Sequence, residues 1–231
     1  MHKTVNLSPR LQLIADKVRE GSAVADIGTD HAYVPIYLIQ KGIATFAVAS
    51  DVRKGPVEKA AVNVKKYGLQ DRIDVRLGDG LEKIKQGEAD TLIVAGMGGV
   101  LMCEILSAAV PIVETMDRLI LQPMIGQEEV RRWLEGHDFK IIDEALSTEG
   151  HKIYNVIVAE KGKEEIDKEV YYEIGKKLIQ NQDPLLKRLL LFKINEMHKI
   201  IGQLENKDSE NASVRLGECR QRLREFEKLM N

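Results

Sequence analysis

Asp26, Asp51 and Asp79 each stand at the carboxyl end of a strand-like segment, where open α/β sheets bind their ligands. Asp26 opens the run DIGTDH, in which Gly28 allows a tight turn and close approach of a ligand to the backbone. Asp30 adds a second carboxylate to the same loop. Asp51 follows Asp26 by 25 residues, and an acid there can accept both hydroxyls of a ribose. Asp79 sits between Gly78 and Gly80, where a carboxylate can accept an adenine amino group. Each has an ordinary alternative. Asp-x-Gly and Gly-Asp-Gly are common turn chemistry, and Asp51 can cap the helix ahead of Pro56. Three acids closing three consecutive strands are a far rarer accident than any one of them.

No GxGxxG follows the first strand, so the loop offers no cradle for a dinucleotide pyrophosphate. Carboxylates at that loop suit a phosphate-free nucleoside that carries positive charge. S-adenosylmethionine, with its ammonium and sulfonium, has those properties, and the chain is expected to be a methyltransferase that uses it. After the fourth strand comes Ala95-Gly96-Met97-Gly98-Gly99. Glycines so closely spaced bend the backbone and let a substrate come near the methyl donor, with Gly98 at the point of transfer. The (Asn/Asp)-Pro-Pro-aromatic loop that many nucleic-acid adenine methyltransferases carry there is absent. Gln122, before Pro123, offers a donor and an acceptor at the rim; the alternative is a plain strand end stopped by proline. His31 and Tyr33 flank the donor loop and are candidates for holding the substrate, although a lone histidine is more often structural. Trp133 lies in an amphipathic helix and reads as core.

The elements that must position these residues alternate. Residues 8–19 read as a helix capped by Ser8, with Pro9 in its first turn. Strands are expected at 23–27, 45–50, 73–77, 89–95 and 118–122, and helices at 33–41, 56–67, 81–86, 100–110 and 128–135. The run 89–95 is apolar throughout, as a strand covered on both faces must be. Residues 140–147 and 154–160 read as an antiparallel hairpin about Glu149-Gly150. This order predicts an α/β fold: a mostly parallel, Rossmann-like sheet of the class I methyltransferase layout, with an antiparallel strand added beside the fifth. The catalytic domain is expected to span 1–161. Residues 162–231 form a helical arm that opens on a polar linker, KGKEEIDKE. Apolar residues at spacings of three and four over 184–205 and 214–230, about a turn at 206–213, predict a coiled-coil hairpin. From Pro184 to Asn231 the arm holds ten Lys/Arg against seven Asp/Glu. An RNA-binding role and a purely structural or dimerising one both remain open for it.

Composition narrows the class. The chain has 231 residues, 44% of them hydrophobic and 30% charged, with a formal net charge of −2. It is not a globally basic nucleic-acid binder, so any such site must be a local patch. Cys103 and Cys219 are far apart, without metal-ligand spacing, and no metal is expected. The start, MHKTVNLSPR, has no apolar core of a signal peptide. The chain reads as soluble and cytoplasmic, a monomer or homodimer without a membrane segment.

Together, ADIGTDHAYVP, SDVRKGP, RLGDGLE, VAGMGGVLM, LILQP and the C-terminal helical pattern resemble the bacterial tRNA (adenine-22-N1)-methyltransferase family. The resemblance runs from LSPRLQ at 7–12 to the arm. It implies transfer of the methyl of S-adenosylmethionine to N1 of an adenine in the D-arm region of tRNA. By position, Asp26, Gly28, Asp30 and His31 would line the methionine part of the donor. Asp51 and Val52 would hold its ribose, and Asp79 with Gly80 its adenine. Ala95, Gly96, Met97 and Gly98 would shape the transfer site. Arg10 is a candidate contact to RNA phosphate or to the donor carboxylate, and Tyr33, Gln122 and Pro123 to the substrate. Neutral adenine carries an in-plane lone pair at N1, so Asp30, His31, Tyr33 and Gly98 are expected to align the base and stabilise charge rather than remove a proton. Rival readings are a methyltransferase for a small molecule or protein, an NAD-linked oxidoreductase, and a non-catalytic RNA-binding adaptor.

Overall fold

In the computed structural model, residues 4–206 and 209–230 are described. Among them, seven strands form one sheet: β1 (Ser22–Ile27), β2 (Ala44–Asp51), β3 (Ile73–Leu77), β4 (Thr91–Gly98), β5 (Arg118–Ile125), β6 (Phe139–Glu149) and β7 (Lys152–Lys161), in the order β3-β2-β1-β4-β5-β7-β6. β1 pairs in parallel with both β2 and β4, β2 with β3, and β4 with β5. β7 runs antiparallel to both β5 and β6. The strand order therefore reverses at β1/β4, and a crevice opens at the carboxyl ends of those two strands. The expected hairpin and its antiparallel insertion beside the fifth strand are both present.

Helices cover the sheet. α1 (Pro9–Ala15), α2 (Tyr33–Gln40) and α3 (Lys54–Lys66) bury Ile14, Ile36, Leu38 and Ala60 against Val24, Ala47, Ala49 and Ile93 of the strands. α4 (Gly99–Ser107), α5 (Val110–Val113) and α6 (Gln127–Gly136) follow β4 and β5, with α4 and α6 packed on each other and on β5. Burial of Leu92, Ile93 and Val94 at 0% exposure is the structural reason that β4 lacks polar alternation. Trp133 is buried, as expected for core, and its ring nitrogen donates to Ser107 Oγ at 2.7 Å.

One expected helix is not there. Residues 81–86 form turns. Arg76 reaches from β3 to donate to the Lys83 carbonyl at 2.6 Å and grips Glu88 with two hydrogen bonds. That carbonyl is spent on a guanidinium instead of a helical amide, and Gly87 then turns the chain at φ 73°. β4 also runs further than expected, through Gly98, with register shifts at Ala95/Met97 and Met97/Gly98. The glycine-rich segment is thus a bulged strand end rather than a free loop.

A buried ion pair ties α6 to the hairpin. Arg131 is 1% exposed, and its Nε and Nη2 donate to Glu144 Oε1 of β6 at 2.9 and 2.7 Å. Nη2 also donates to Asn155 Oδ1 of β7.

The chain divides into two compact units, residues 1–165 and 166–231. In the second, α7 (Val170–Ile174), α8 (Lys176–Gln180), α9 (Leu186–Leu204) and α10 (Glu210–Met230) follow one another. α9 and α10 pack together, with Leu190 and Phe226 buried beside Val170 and Ile174. Of the expected turn at 206–213, residues 207 and 208 lie outside the described residues, and 210–213 already belong to α10, whose first turn receives the Ser209 side chain at Ala212 N. No described helix is long and apolar enough to cross a membrane.

Candidate active site

A cavity of about 630 Å³ opens at the β1/β4 switch point. The loop after β1 forms its floor. Gly28 takes φ 80°, and the amides of Gly28 and Thr29 donate to the Ser50 carbonyl of β2 at 2.7 and 3.0 Å. Thr29 Oγ1 then accepts from Ala32 N at 3.1 Å, where the chain enters α2 at φ 55°. Two left-handed residues and one threonine thus turn the strand end back into a helix within five residues. Met97 packs directly on Gly28, in the space that a Cβ would need, so the turn after β1 and the bulge of β4 touch.

Asp26, Gly28, Asp30, His31 and Tyr33 all line this cavity, with Ala95 and Gly96 from β4 and Arg10 from α1. Asp26 is 7% exposed, and burial pushes its carboxyl up to about 6 against a hydrogen bond with Thr29. Such a group favours a cationic ligand that would restore its charge. Asp30 is more exposed. Its two oxygens lie 3.0 Å from His31 Nε2 and 3.6 Å from Lys59 Nζ. His31 and Tyr33 stack, with ring centroids 5.0 Å apart and planes 10° from parallel, and Asn63 Nδ2 donates to the His31 carbonyl at 3.1 Å. The loop therefore presents one aromatic surface at the cavity.

Arg10 is anchored on three sides. Its amide donates to Glu149 Oε1 at 3.1 Å, its Nη1 donates to Gln122 Oε1 at 2.7 Å, and its guanidinium lies 5.4 Å from the Tyr154 ring centre. A hydrogen bond from Ser8, with Arg10 behind it, holds the Glu149 carboxyl below its ordinary value despite partial burial. Gln122 does not stand at the rim. It is 0% exposed, and its amide nitrogen donates to the Pro123 carbonyl at 3.0 Å. Pro123 is buried too. Their place in the site is behind Arg10.

Asp51, Val52, Asp79 and Gly80 do not line this cavity. Asp51 is 4% exposed and accepts from Arg53 N at 2.7 Å and Arg53 Nε at 3.3 Å. It does not cap α3, whose N-cap is Arg53. Val52 is exposed at the end of β2. Gly78 N donates to the Asp51 carbonyl at 3.1 Å, which joins the second and third strand ends. Asp79 and Gly80 border a second, more apolar cavity of about 700 Å³ with Leu101 and Ile105. The acids thus stand along one edge of the sheet, with the first in one cavity and the third at another. Arg53, Lys59 and Thr29 also line the first cavity. The sequence reading missed them, although placing the first turns of α3 beside the Asp51 strand end would have brought in Arg53 and Lys59.

Gly99 opens α4 against the turn after β5. A Cβ there would run into the Gly126 carbonyl, and Gly126 itself takes φ 70°. Gly99→Ala is expected to lower stability by about 1–3 kcal/mol by forcing these two backbones apart. Denaturant unfolding checks it, and an unchanged midpoint would refute the close approach.

The profile of the family described as "TrmK: tRNA (adenine(22)-N(1))-methyltransferase" matches residues 24–228. The chain belongs to this family. The tRNA (adenine(22)-N(1))-methyltransferase of Bacillus subtilis (strain 168) is 45% identical over 158 residues. That stretch covers 68% of this chain and 66% of the Bacillus protein, just under two thirds of it. The crystal structure of the B. subtilis m1A22 tRNA methyltransferase matches with a TM-score of 0.90 at 34% identity, over 98% of this chain and 100% of that one. The M. capricolum member, solved with the natural cofactor product S-adenosylhomocysteine, matches with a TM-score of 0.84 at 30% identity, over 97% of each chain.

The family's α/β Rossmann-like architecture with a C-terminal helix pair is the one described above. Two of the motifs that carried the resemblance meet at the switch point: DIGTDH supplies the cavity floor, and Ala95 and Gly96 of VAGMGG part of its β4 wall, while Met97 and Gly98 are not in its lining and Met97 instead packs on Gly28. Among the described residues no group of three or more His, Cys, Asp or Glu is placed to hold a metal ion.

Proposed function

We propose that this chain transfers the methyl group of S-adenosylmethionine to N1 of adenine 22 in tRNA. The observation that carries the reading is Asp26, a buried carboxylate at the floor of the switch-point cavity, in the family's own motif and, among the described residues, without a cationic partner. Asp26, Gly28, Asp30 and His31 hold the methionine end of the cofactor, Asp51 and Val52 its ribose, and Asp79 and Gly80 its adenine. Ala95, Gly96, Met97 and Gly98 shape the place of transfer. Bound there, S-adenosylmethionine supplies an electrophilic methyl carried on a sulfonium, which the in-plane lone pair of adenine N1 can take without a general base.

The chain's residues then have three tasks. The stacked His31–Tyr33 pair offers a π-face to the extruded adenine. The Asp30 carboxylate and the backbone carbonyls of Gly96–Gly98 stabilise the cation that develops on the methylated ring. Arg10, held by Gln122 ahead of Pro123, supplies a fixed positive charge for an RNA phosphate or the donor carboxylate. In this reading residues 1–161 form the catalytic domain, and 162–231 a coiled-coil arm that adds RNA surface. The protein would work in the cytoplasm as a monomer or homodimer.

Incubation of the full chain with S-adenosylmethionine and a tRNA transcript, followed by nuclease digestion and mass spectrometry, should give 1-methyladenosine at position 22. A transcript with guanine at 22 should stay unmodified. Tyr33→Ala should slow transfer by about tenfold while cofactor binding persists. Cofactor binding with no 1-methyladenosine on tRNA would leave the small-molecule or protein substrate as the better reading.

A further inference from the structure

Among the described residues of the first unit, the large apolar side chains that stand exposed fall largely along one edge of the sheet. All but Val62 lie at the carboxyl ends of parallel strands or just past them: Val52, Leu77, Val100, Leu101, Met124 and Ile125. Ile125 is the most exposed of them, at 72%. Solvated aliphatic groups concentrated on one functional edge mark a binding surface.

Ile125 is also held in a fixed place. It pairs in register with Gly98 of β4, and its Cγ1 stands 3.8 Å from where a Cβ at Gly98 would be. The next residue, Gly126, packs its carbonyl on Gly99 with no room between them. On the opposite face of the strand end, the Met124 sulfur lies 3.7 Å from Gln122 Nε2, the amide that also holds Arg10 in the cavity. A single stiff aliphatic projection therefore stands beside the glycines of the transfer site. The cavity itself is lined by the cationic side chains of Arg10, Lys59 and the exposed Arg53, and Ile125 stands outside that lining, next to Gly98. A permanent protein partner on these residues would cover the edge where the substrate must enter, whereas a nucleic acid that approaches the cavity meets them on the way.

We propose that Ile125 is a wedge that enters the base stack of the RNA as the target adenine leaves it. An adenine whose N1 is to be methylated must expose that edge, and its departure opens a gap between its neighbours. Proteins that deform nucleic acids fill such gaps with Ile, Leu, Met or Phe. Ile125 is a positioning residue, since it acts on the neighbouring bases and leaves the reacting atoms to others. The proposal rests on RNA being the substrate of the cavity.

The test uses the full chain with Ile125→Ser and Ile125→Met, on intact tRNA and on a tRNA whose residue opposite the target is abasic, so that the adenine is already loosened. Ile125→Ser should reduce kcat/KM on intact tRNA by about tenfold or more. S-adenosylmethionine affinity and melting temperature should be unchanged, because the side chain is exposed. Ile125→Met should keep most of the activity. On the loosened tRNA the defect of Ile125→Ser should shrink to about threefold or less. Equal loss on both RNAs, or no loss, would overturn the wedge. So would a dimer that Ile125→Ser converts to a fully active monomer, which would assign the patch to a second copy of the chain. Wild-type protein inert on both RNAs would overturn the substrate reading, and the wedge with it.

Discussion

Asp26→Asn should weaken S-adenosylmethionine binding by about 30-fold or more and at the same time make the free protein more stable. Both effects come from one buried carboxylate. Its pKa is raised from 3.8 to about 6, because burial penalises the charged form more than the Thr29 hydrogen bond favours it. Between those two values the folded chain holds the proton and the unfolded chain has released it. Stability is therefore lost as pH rises from about 4 to about 6, and stays lost above that, by at most about 3 kcal/mol. Asparagine keeps the shape and removes the charge, so the substituted apoprotein should melt higher at pH 8 and equally at pH 4. Binding runs the other way. Losing one partner of a buried charge pair costs about 2–5 kcal/mol, which sets the expected fall in affinity. For the natural protein, the dissociation constant should rise by up to about tenfold per pH unit below about 6, and the Asn variant should lack that slope. Calorimetric titration from pH 5 to 8, with melting curves of both proteins, decides it. An Asn variant that binds normally at pH 8 would remove Asp26 from the site.

The site was legible in the sequence where chemistry follows strand ends. Asp26, Asp51 and Asp79 could be placed because each closes a short apolar run, and the sheet order then puts those ends along one edge. The missing phosphate loop chose the kind of ligand. What stayed hidden depends on partners distant in the chain. Gln122 reads as a rim residue by position, yet Arg10, 112 residues away, binds its amide oxygen inside the protein. Residues 81–86 have helical spacing, but Arg76 and Glu88 clamp them into turns. The short helices α7 and α8 follow a polar run, and their burial comes from the packing of Val170, Ile174 and Leu178 rather than from a long periodic stripe. Lys59 could be placed only as a residue of the helix that follows the Asp51 strand end; its partner Asp30 becomes visible once α3 lies beside the β1 loop.

Arg131 is the strongest case of a residue that local pattern cannot place, and its replacement carries the second large expected effect. It stands on α6 as one charge in a strongly amphipathic helix, QEEVRRWLEG, where an exposed arginine would be unremarkable. Folding instead buries it against Glu144 and Asn155, which lie on two different strands. Arg131→Met keeps much of the side-chain volume and takes the guanidinium away from the Glu144 carboxylate, which is 2% exposed. Breaking a buried pair from one side costs about 3–5 kcal/mol, whereas replacing both partners with apolar groups is often neutral. Arg131→Met alone should therefore unfold at markedly lower denaturant, and Arg131→Met with Glu144→Leu should recover most of that loss. The pair joins α6 to the hairpin that flanks β5, and β5 carries Gln122 and Ile125. Transfer activity at a temperature where both variants are folded should then separate support from chemistry. The double variant should retain near-normal cofactor affinity, because neither side chain lines the cavity. If the single variant is as stable as the natural chain, the ion pair does not hold α6 in place, and the fixed position of the Ile125–Gly126 turn must come from the Gly99 contact alone.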